Sequence, residues 1–396
     1  ADGIRAEVTL NFELTPEQIE LRDQVAAFAR EEVAPLAEQL DRECRFPTDL
    51  YRKVGALGIT SIPFEPEFGG MGLGTFEMML AVEQLARADQ SLAVTTMVSV
   101  AAGLIVQRFG TPQQKARYLP ALVRGEAIGA LAGTEPDAGS DTAAFKTLAA
   151  RKGDGWVING QKAFITNAGT ELSTFALTLA VTSAADAPRK EFTLFLVPRG
   201  ASGYMPGEPY RKMGWHSSDT RPLYFDDCAL GGDSVVGTVG AGRHLLHKGY
   251  QQARVFLAAC SLGLADASLE HSIAHARERK AFGASLGRLQ LIQEMIAQMA
   301  IKVDAARLLT YRAAWQGDRG ADSLRELAMA KYYATEIGTE VANLAVQVHG
   351  GWGFMDDCAV SRYYRDNRIC TIGDGSSQIQ LLLIARSLGL DVHFGD

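Results

Sequence analysis

The sequence predicts an α+β protein in three parts: an N-terminal α-helical domain over residues 1–126, a middle β domain over 127–240 and a C-terminal helical bundle over 241–396. Three observations carry this. Apolar residues recur at helical spacing in the first part and again from about Gly242 to Leu388. Between Ile128 and Gly240, short apolar runs alternate with turn residues instead. Those runs are not separated by long helices, so an antiparallel barrel or sandwich is expected there and not a parallel nucleotide-binding sheet.

In the first part, Thr15-Pro16-Glu17-Gln18 marks a helix start, with a capping Thr, a Pro in the first turn and a Gln three residues on. Leu21, Val25, Phe28 and Ala29 follow on one face. Phe68–Gly74 is glycine-rich and reads as a loop, and helical patterns cover Glu77–Ala86 and Ala93–Phe109. Thr111-Pro112-Gln113-Gln114 opens another helix. In the middle, Asn159-Gly160 lies between Trp156-Val157-Ile158 and Ala163-Phe164-Ile165, a strong hairpin signal. Phe192–Val197 and Leu223–Phe225 read as strands. In the last part, Ile292, Met295, Met299, Val303 and Ala306 form one stripe. Ala330, Ala334, Ile337, Val341, Leu344 and Val348 form another, as near-antiparallel helix packing requires.

Composition sets the bounds. The chain has 396 residues, 47% hydrophobic and 21% charged, enough to bury a large core without disulfide staples. The net charge of −7 argues against nucleic-acid binding. Cys44, Cys228, Cys260, Cys358 and Cys370 are odd in number and form no C-x-x-C, which points to reduced thiols. Ser91–Val106 is too short and too interrupted by hydroxyls for a membrane span and reads as a buried helix. No secretory signal is recognisable. A bacterial cytoplasmic location is expected, or the mitochondrial matrix if a transit peptide has been removed.

No G-x-G-x-x-G, G-x-x-x-x-G-K-[ST] or H-E-x-x-H occurs. Gly283-Ala284-Ser285-Leu286-Gly287 matches an esterase motif that needs a strand before it, yet a helix precedes it. His271 and His275 share a helix face, but no third metal ligand accompanies them, and a solvent-facing pair is expected. Four segments carry more. Thr134–Asp141 is a domain-joining loop, or a cradle for a polar ligand. In Phe164-Ile165-Thr166-Asn167 a ring and a hydroxyl two residues apart face one side of a strand, for core packing or for a flat cofactor. Gln347–Phe354 ends a helix on a glycine pair that stops it or lets a ligand approach the backbone. Asp374, between Gly373 and Gly375, either caps the last helix or projects into a cleft as a base.

Taken in order, these segments resemble the acyl-CoA dehydrogenase family of flavoproteins. So do Pro66-Glu67-Phe68-Gly69-Gly70, Ser217-Ser218-Asp219-Thr220-Arg221, Glu278–Gly283, Arg365-Asp366 and Ser376–Gln380. The resemblance covers essentially the whole chain. It implies a helical N-terminal domain, a middle β-barrel, a C-terminal four-helix bundle and a homotetramer. It also implies FAD bound between the β domain and the bundle and completed by a neighbouring subunit. Leu131, Gly133, Thr134 and Ser140 would line the flavin and thioester side, with Phe164 and Thr166 against the isoalloxazine ring. Arg279, Phe282 and Gln290 would reach the ADP portion of a partner's FAD, where an Arg fork suits phosphate. Gln347, His349, Gly350 and Gly351 would line the pyrophosphate, and Ser376 and Gln378 would also touch FAD. Ser140, Arg254, Gly373 and Gly375 would meet the substrate.

The implied reaction is α,β-desaturation of an acyl thioester, of CoA or of a carrier protein, with electron-transferring flavoprotein as acceptor. The family's base is typically Glu in Tyr-Glu-Gly-Thr, whereas this chain has Gly373-Asp374-Gly375-Ser376. Asp is one methylene shorter, so either the substrate sits closer or the chemistry differs, and Gly373 in place of an aromatic would widen the site for a branched or bulky acyl group or let the backbone move. The alternative Glu of some relatives corresponds to Ala253, which leaves Asp374 as the base. Two other readings stay open. A nitroalkane-oxidase-like flavin oxidase also uses Asp, but with an arginine seven residues on, where Leu381 stands. The other is a flavin-binding homologue without turnover.

Overall fold

The structure is a computed structural model that describes residues 13–184, 186–320 and 323–392. The reading of the N-terminus for a leader falls largely on residues 1–12, outside the described residues.

The first helices are α1 (Pro16–Phe28), α2 (Ala34–Glu43), α3 (Thr48–Ala56), α4 (Thr75–Ala88), α5 (Gln90–Phe109) and α6 (Pro112–Val123). α1 and α6 start as their capping boxes require. Thr15 and Thr111 each accept from the backbone N–H three residues on, and Gln18 and Gln114 reach back. α5 is long and apolar enough to cross a membrane by length and composition, but most of it is buried inside the protein, as expected for Ser91–Val106. Asp89 caps it, accepting from the N–H groups of Ser91 and Leu92 at 2.7 and 3.2 Å.

The middle strands are β1 (Ile128–Ala132), β2 (Leu148–Lys152), β3 (Gly155–Thr166), β4 (Ser173–Val181), β5 (Phe192–Pro198), β6 (Tyr204–Pro206), β7 (Thr220–Leu230) and β8 (Val235–Val236). They form one sheet in the order β6-β7-β3-β2-β4-β5-β8, with β1 on β4. Tyr204, from one end of that order, and Phe195 and Val197, from near the other, belong to one apolar cluster. Trp156 of β3 also meets Phe195 of β5 edge-on at 5.2 Å, so the sheet curls round its own core.

Two expectations for this sheet are corrected. It is not wholly antiparallel: β1 pairs with β4 in parallel, and β2 meets the far end of β4 in parallel at Leu148. Asn159-Gly160 does not turn a hairpin. β3 runs straight through it, and the hairpin is made by Gly153-Asp154, with Gly153 at φ +63. The dipeptide forms a bulge instead. Gly160, at φ +140, packs on Thr147, and the Asn159 amide exchanges two hydrogen bonds with Asp227. The extra residue of this bulge lies on β7, where Asp226 and Asp227 face Asn159. β3 therefore keeps one buried set through Trp156, Ile158 and Lys162, and moves to Ala163 and Ile165 only beyond Lys162, where β3 carries the extra residue.

The bundle comprises α7 (Gly242–Glu278), α8 (Gln290–Asp318), α9 (Leu324–His349), α10 (Ala359–Asn367) and α11 (Ser377–Ser387). A small hairpin, β9 (Lys280–Ala281) and β10 (Ala284–Ser285), follows α7. The motif Gly283–Gly287 lies on this hairpin, which a helix precedes, so the esterase geometry is absent. The α9 stripe is buried apart from the partly covered Leu344. The α8 stripe is buried only at Met299, Val303 and Ala306.

The helical N-terminal domain and the bundle share one apolar core, and the curled sheet has a second. Gln90, buried at the start of α5, joins all three parts. It accepts from the Trp215 indole N–H at 2.7 Å, and it donates to the Cys260 carbonyl and the Asn367 side chain. At the far end of the bundle, Asp318 accepts from the N–H groups of Thr75 and Phe76, both at 2.8 Å, and so caps α4 from another domain. Asp318→Ala is expected to lower unfolding free energy by about 1–2 kcal/mol in a denaturant titration, as loss of a helix cap does.

Candidate active site

The loop after β1 is built round a buried ion pair. The Lys162 side chain, from β3, is fully buried, and the Glu135 carboxylate lies 2.8 Å from its Nζ. Lys162 also donates to the Gly133 carbonyl at 3.0 Å and lies over the Phe145 ring. Glu135 accepts from the N–H groups of Lys146 and Thr147. Burial pushes the Glu135 carboxyl up, but the Lys162 charge and these hydrogen bonds outweigh it and hold the group below its ordinary value. Thr134 is stitched to β3 through the Ala163 N–H. Gly133 and Thr134 are thus fixed beside the strand that carries Phe164 and Thr166. Leu131 sits partly buried on β1, and Ser140 is exposed at the loop's far end.

Phe164 stands out of the sheet. A second irregularity in the β3–β7 register falls between Lys162 and Ile165, and Phe164 has φ +60. Its ring is 62% exposed and lies 5.3 Å from Tyr210, while Ala163 and Ile165 on either side are buried. Phe164 and the half-covered Thr166 therefore share a face, as the alternation requires.

Asp374 occupies a left-handed turn, φ +51, followed by Gly375 at φ +86. It does not cap α11; Ser376 does, accepting from the Ile379 N–H. The capping reading of Asp374 therefore falls. The Gly375 carbonyl accepts from Lys331 Nζ at 2.7 Å and Gln380 Nε2 at 2.8 Å. Lys331, on α9, is fully buried. Burial pushes the Asp374 carboxyl above its ordinary value, opposed by the charges of Lys331 and of Arg254 on α7. Where a Cβ on Gly373 would stand, only the Ile369 carbonyl is near, at 3.6 Å.

A cavity of about 670 Å³ opens on the bundle surface at the C-terminus of α9. Arg279, Gln347, His349, Gly350 and Gly351 line it, together with His275 and Trp352. Nothing lies within 4 Å of a Cβ on either glycine, so the backbone is open to a ligand. His275 is not solvent-facing as expected: it stacks on His349 at 4.3 Å, while His271 is exposed beside the Tyr363 ring. Burial lowers the pKa of His349 below its ordinary value. The neutral ring must carry its proton on Nδ1, 2.8 Å from the Ala345 carbonyl, and so presents Nε2 as an acceptor. No metal-holding group of His, Cys, Asp or Glu exists among the described residues.

Five expected residues thus meet in this cavity. Asp374, Gly375 and Arg254 meet in the turn before α11, with Ser376 adjoining, and Gly133, Thr134, Phe164 and Thr166 gather on the sheet. Phe282, 92% exposed on the β9–β10 hairpin, and Gln290 and Gln378, both exposed, face outward. Sequence reasoning missed Lys331, Gln380 and the Glu135–Lys162 pair. The signal for Lys331 was a lysine within the apolar face of α9, between Leu327 and Thr335. Lys162→Met is expected to cost about 3–5 kcal/mol in urea unfolding, because it leaves Glu135 buried and charged. Adding Glu135→Gln, which keeps an acceptor for Lys146 and Thr147, should recover part of that loss.

Comparison with known proteins covers nearly the whole chain. Family models for the acyl-CoA dehydrogenase N-terminal, middle and C-terminal domains match residues 15–126, 130–228 and 240–389. The chain is 38% identical to the mitochondrial short-chain specific acyl-CoA dehydrogenase of Mus musculus, over 93% of this chain and 89% of that one. It is 36% identical to an acyl-CoA dehydrogenase of Bacillus subtilis, over 95% and 98%. The structure of butyryl-CoA dehydrogenase from Megasphaera elsdenii superposes with a TM-score of 0.92 at 31% identity, covering 96% of this chain and all of the other. With its three-part fold and its ordered motifs, the chain belongs to the acyl-CoA dehydrogenase family, oxidoreductases that act on acyl-CoA.

Proposed function

We propose that this chain catalyses FAD-dependent α,β-dehydrogenation of an acyl thioester, with Asp374 as the base. The observation that carries the reading is the Asp374 turn. A carboxylate is held in a left-handed conformation between two glycines, beside Lys331 and Arg254, with no capping duty.

The residues present fit FAD. The cavity on the bundle offers Arg279 for a phosphate and two glycines without a blocking Cβ. The exposed Phe164 ring and Thr166 offer a flat surface and a hydroxyl on the sheet. When bound, FAD supplies the hydride acceptor. Asp374 takes the α-proton. Burial raises its pKa, which makes it a stronger base than a carboxylate in water. The enolate that develops needs hydrogen-bond donors at the thioester oxygen, and the backbone N–H of Asp374 is the donor this chain contributes. Arg254 supplies positive charge for the CoA end. The room beyond Gly373 suits a branched or bulky acyl group. Electron-transferring flavoprotein takes the electrons onward.

The chain works as a homotetramer in this reading. Phe282, Leu291, Ile301 and Phe354 stand 70–92% exposed on the bundle, and the cavity beside them is open. Sedimentation velocity should report four chains, and Phe282→Asp should lower both the assembled fraction and the bound flavin.

In an anaerobic bleaching screen, straight, branched and cyclic acyl-CoAs should reduce the flavin at different rates, the branched or cyclic ones fastest. Asp374→Asn should keep the yellow flavin but slow bleaching by roughly 10³-fold; an unchanged rate overturns the assignment. The same variant tests the electrostatics. A raised folded-state pKa contributes stability below the unfolded value of about 4, and that contribution is lost as pH rises through the folded value. Asp374→Asn should therefore gain on the wild type in thermal unfolding as pH rises above about 4, and not below it.

A further inference from the structure

We propose that Lys331 is a positioning residue for the base: from α9 it fixes the Asp374–Gly375 turn through the Gly375 carbonyl and supplies the counter-charge that keeps the Asp374 carboxylate ionised. This rests on the reading of Asp374 given above.

Two consecutive left-handed residues, one with a Cβ, hold only where the surroundings over-determine them. Here two donors from different helices close on one carbonyl. Gln380 comes from α11, the helix that the turn itself starts, and it is neutral. Lys331 comes from α9, 44 residues earlier in the chain, and ties the turn to the rigid bundle core. Of the two side chains described as donating to the Gly375 carbonyl, Lys331 is the one that comes from outside the turn's own helix.

The charge argument follows from what surrounds the ammonium. Lys331 is fully buried and faces Asp374, Cys370, Arg254 and Glu336. Arg254 has the same sign. Burial pushes the Cys370 thiol up to about 12, so it stays neutral. Glu336 is engaged by the Ser377 hydroxyl. Of the two acids that Lys331 faces, Asp374 acts on it more strongly than Glu336. In turn, Asp374 faces Lys331 from α9 and Arg254 from α7. The Cys260 thiol nearby on α7 is held well above its ordinary value and is also neutral. Arg254 is committed to substrate in the proposed reaction, so Lys331 is the resident counter-charge.

Three variants separate grip from charge. Lys331→Gln keeps a donor without charge, Lys331→Met keeps neither, and Lys331→Arg keeps the charge. In the FAD-loaded protein, the Asp374 carboxyl is titrated by infrared spectroscopy with ¹³C-aspartate, and Asp374→Asn is subtracted to isolate its band. The midpoint should rise by about one pH unit or more in Lys331→Gln and Lys331→Met and stay near the wild type in Lys331→Arg. The acid limb of anaerobic flavin bleaching should move by the same amount. On the alkaline plateau, Lys331→Gln should keep most of the wild-type rate, while Lys331→Met should lose about tenfold through the loosened turn. An unmoved Asp374 midpoint in either neutral variant, or an equal rise in Lys331→Arg, overturns the inference. If no acyl-CoA bleaches the wild type, the dehydrogenase reading fails, and the infrared midpoints still decide the role of Lys331.

Discussion

A buried ammonium ion has to find oxygen, and this chain meets that requirement twice in the same way. Lys162 reaches out of a strand to the Gly133 carbonyl, and Lys331 reaches out of a helix to the Gly375 carbonyl. Each carbonyl belongs to a glycine of a loop that would otherwise be free to move. Taking an ammonium out of water costs several kcal/mol unless the interior supplies matching oxygens. The loop is therefore held as firmly as the core that buries the lysine. The two loops the site depends on, one beside Phe164 and one around Asp374, inherit their rigidity from the sheet and the bundle.

The division of labour between cores follows from this. The sheet keeps its own apolar interior and presents an exposed ring on one face. The first helices and the bundle share a single interior, which also takes in the other side of β4 and β5 through Phe175, Leu177, Leu194 and Leu196. Gln90 lies at the meeting point, with its amide divided between an indole of the middle domain and two oxygens of the bundle. Asn167, next to Thr166, donates to the Thr95 carbonyl on the same helix. α5 is thus both the most apolar helix and the common reference against which sheet and bundle are set.

How much of this could be read in the sequence depends on how local the cause is. Thr15 and Thr111 cap helices through residues three positions away, and both starts are legible. The glycines round Asp374 announce a special backbone, and the turn is there. Asn159-Gly160 misleads because its role is decided by Thr147 and Asp227, which lie elsewhere in the chain. A bulge and a hairpin use the same glycine, and only the partner strand chooses between them. The α8 stripe predicts burial that is complete only toward its C-terminal half, since periodicity reports a face and not what covers it. Lys331 stands out as a charge on an apolar face, but its oxygen partner is not legible at that distance.

Asp318 caps α4 from 243 residues further along the chain. At the usual rates of synthesis, roughly 10–50 s separate the emergence of the two. Through that interval α4 lacks the Asp318 cap, and α5 has α4 and α6 but not α7 of the bundle to bury its apolar length against. The N-terminal third therefore spends its first moments as a nascent segment that needs shielding from other chains. Its folding is completed only when the last helices of the bundle leave the ribosome.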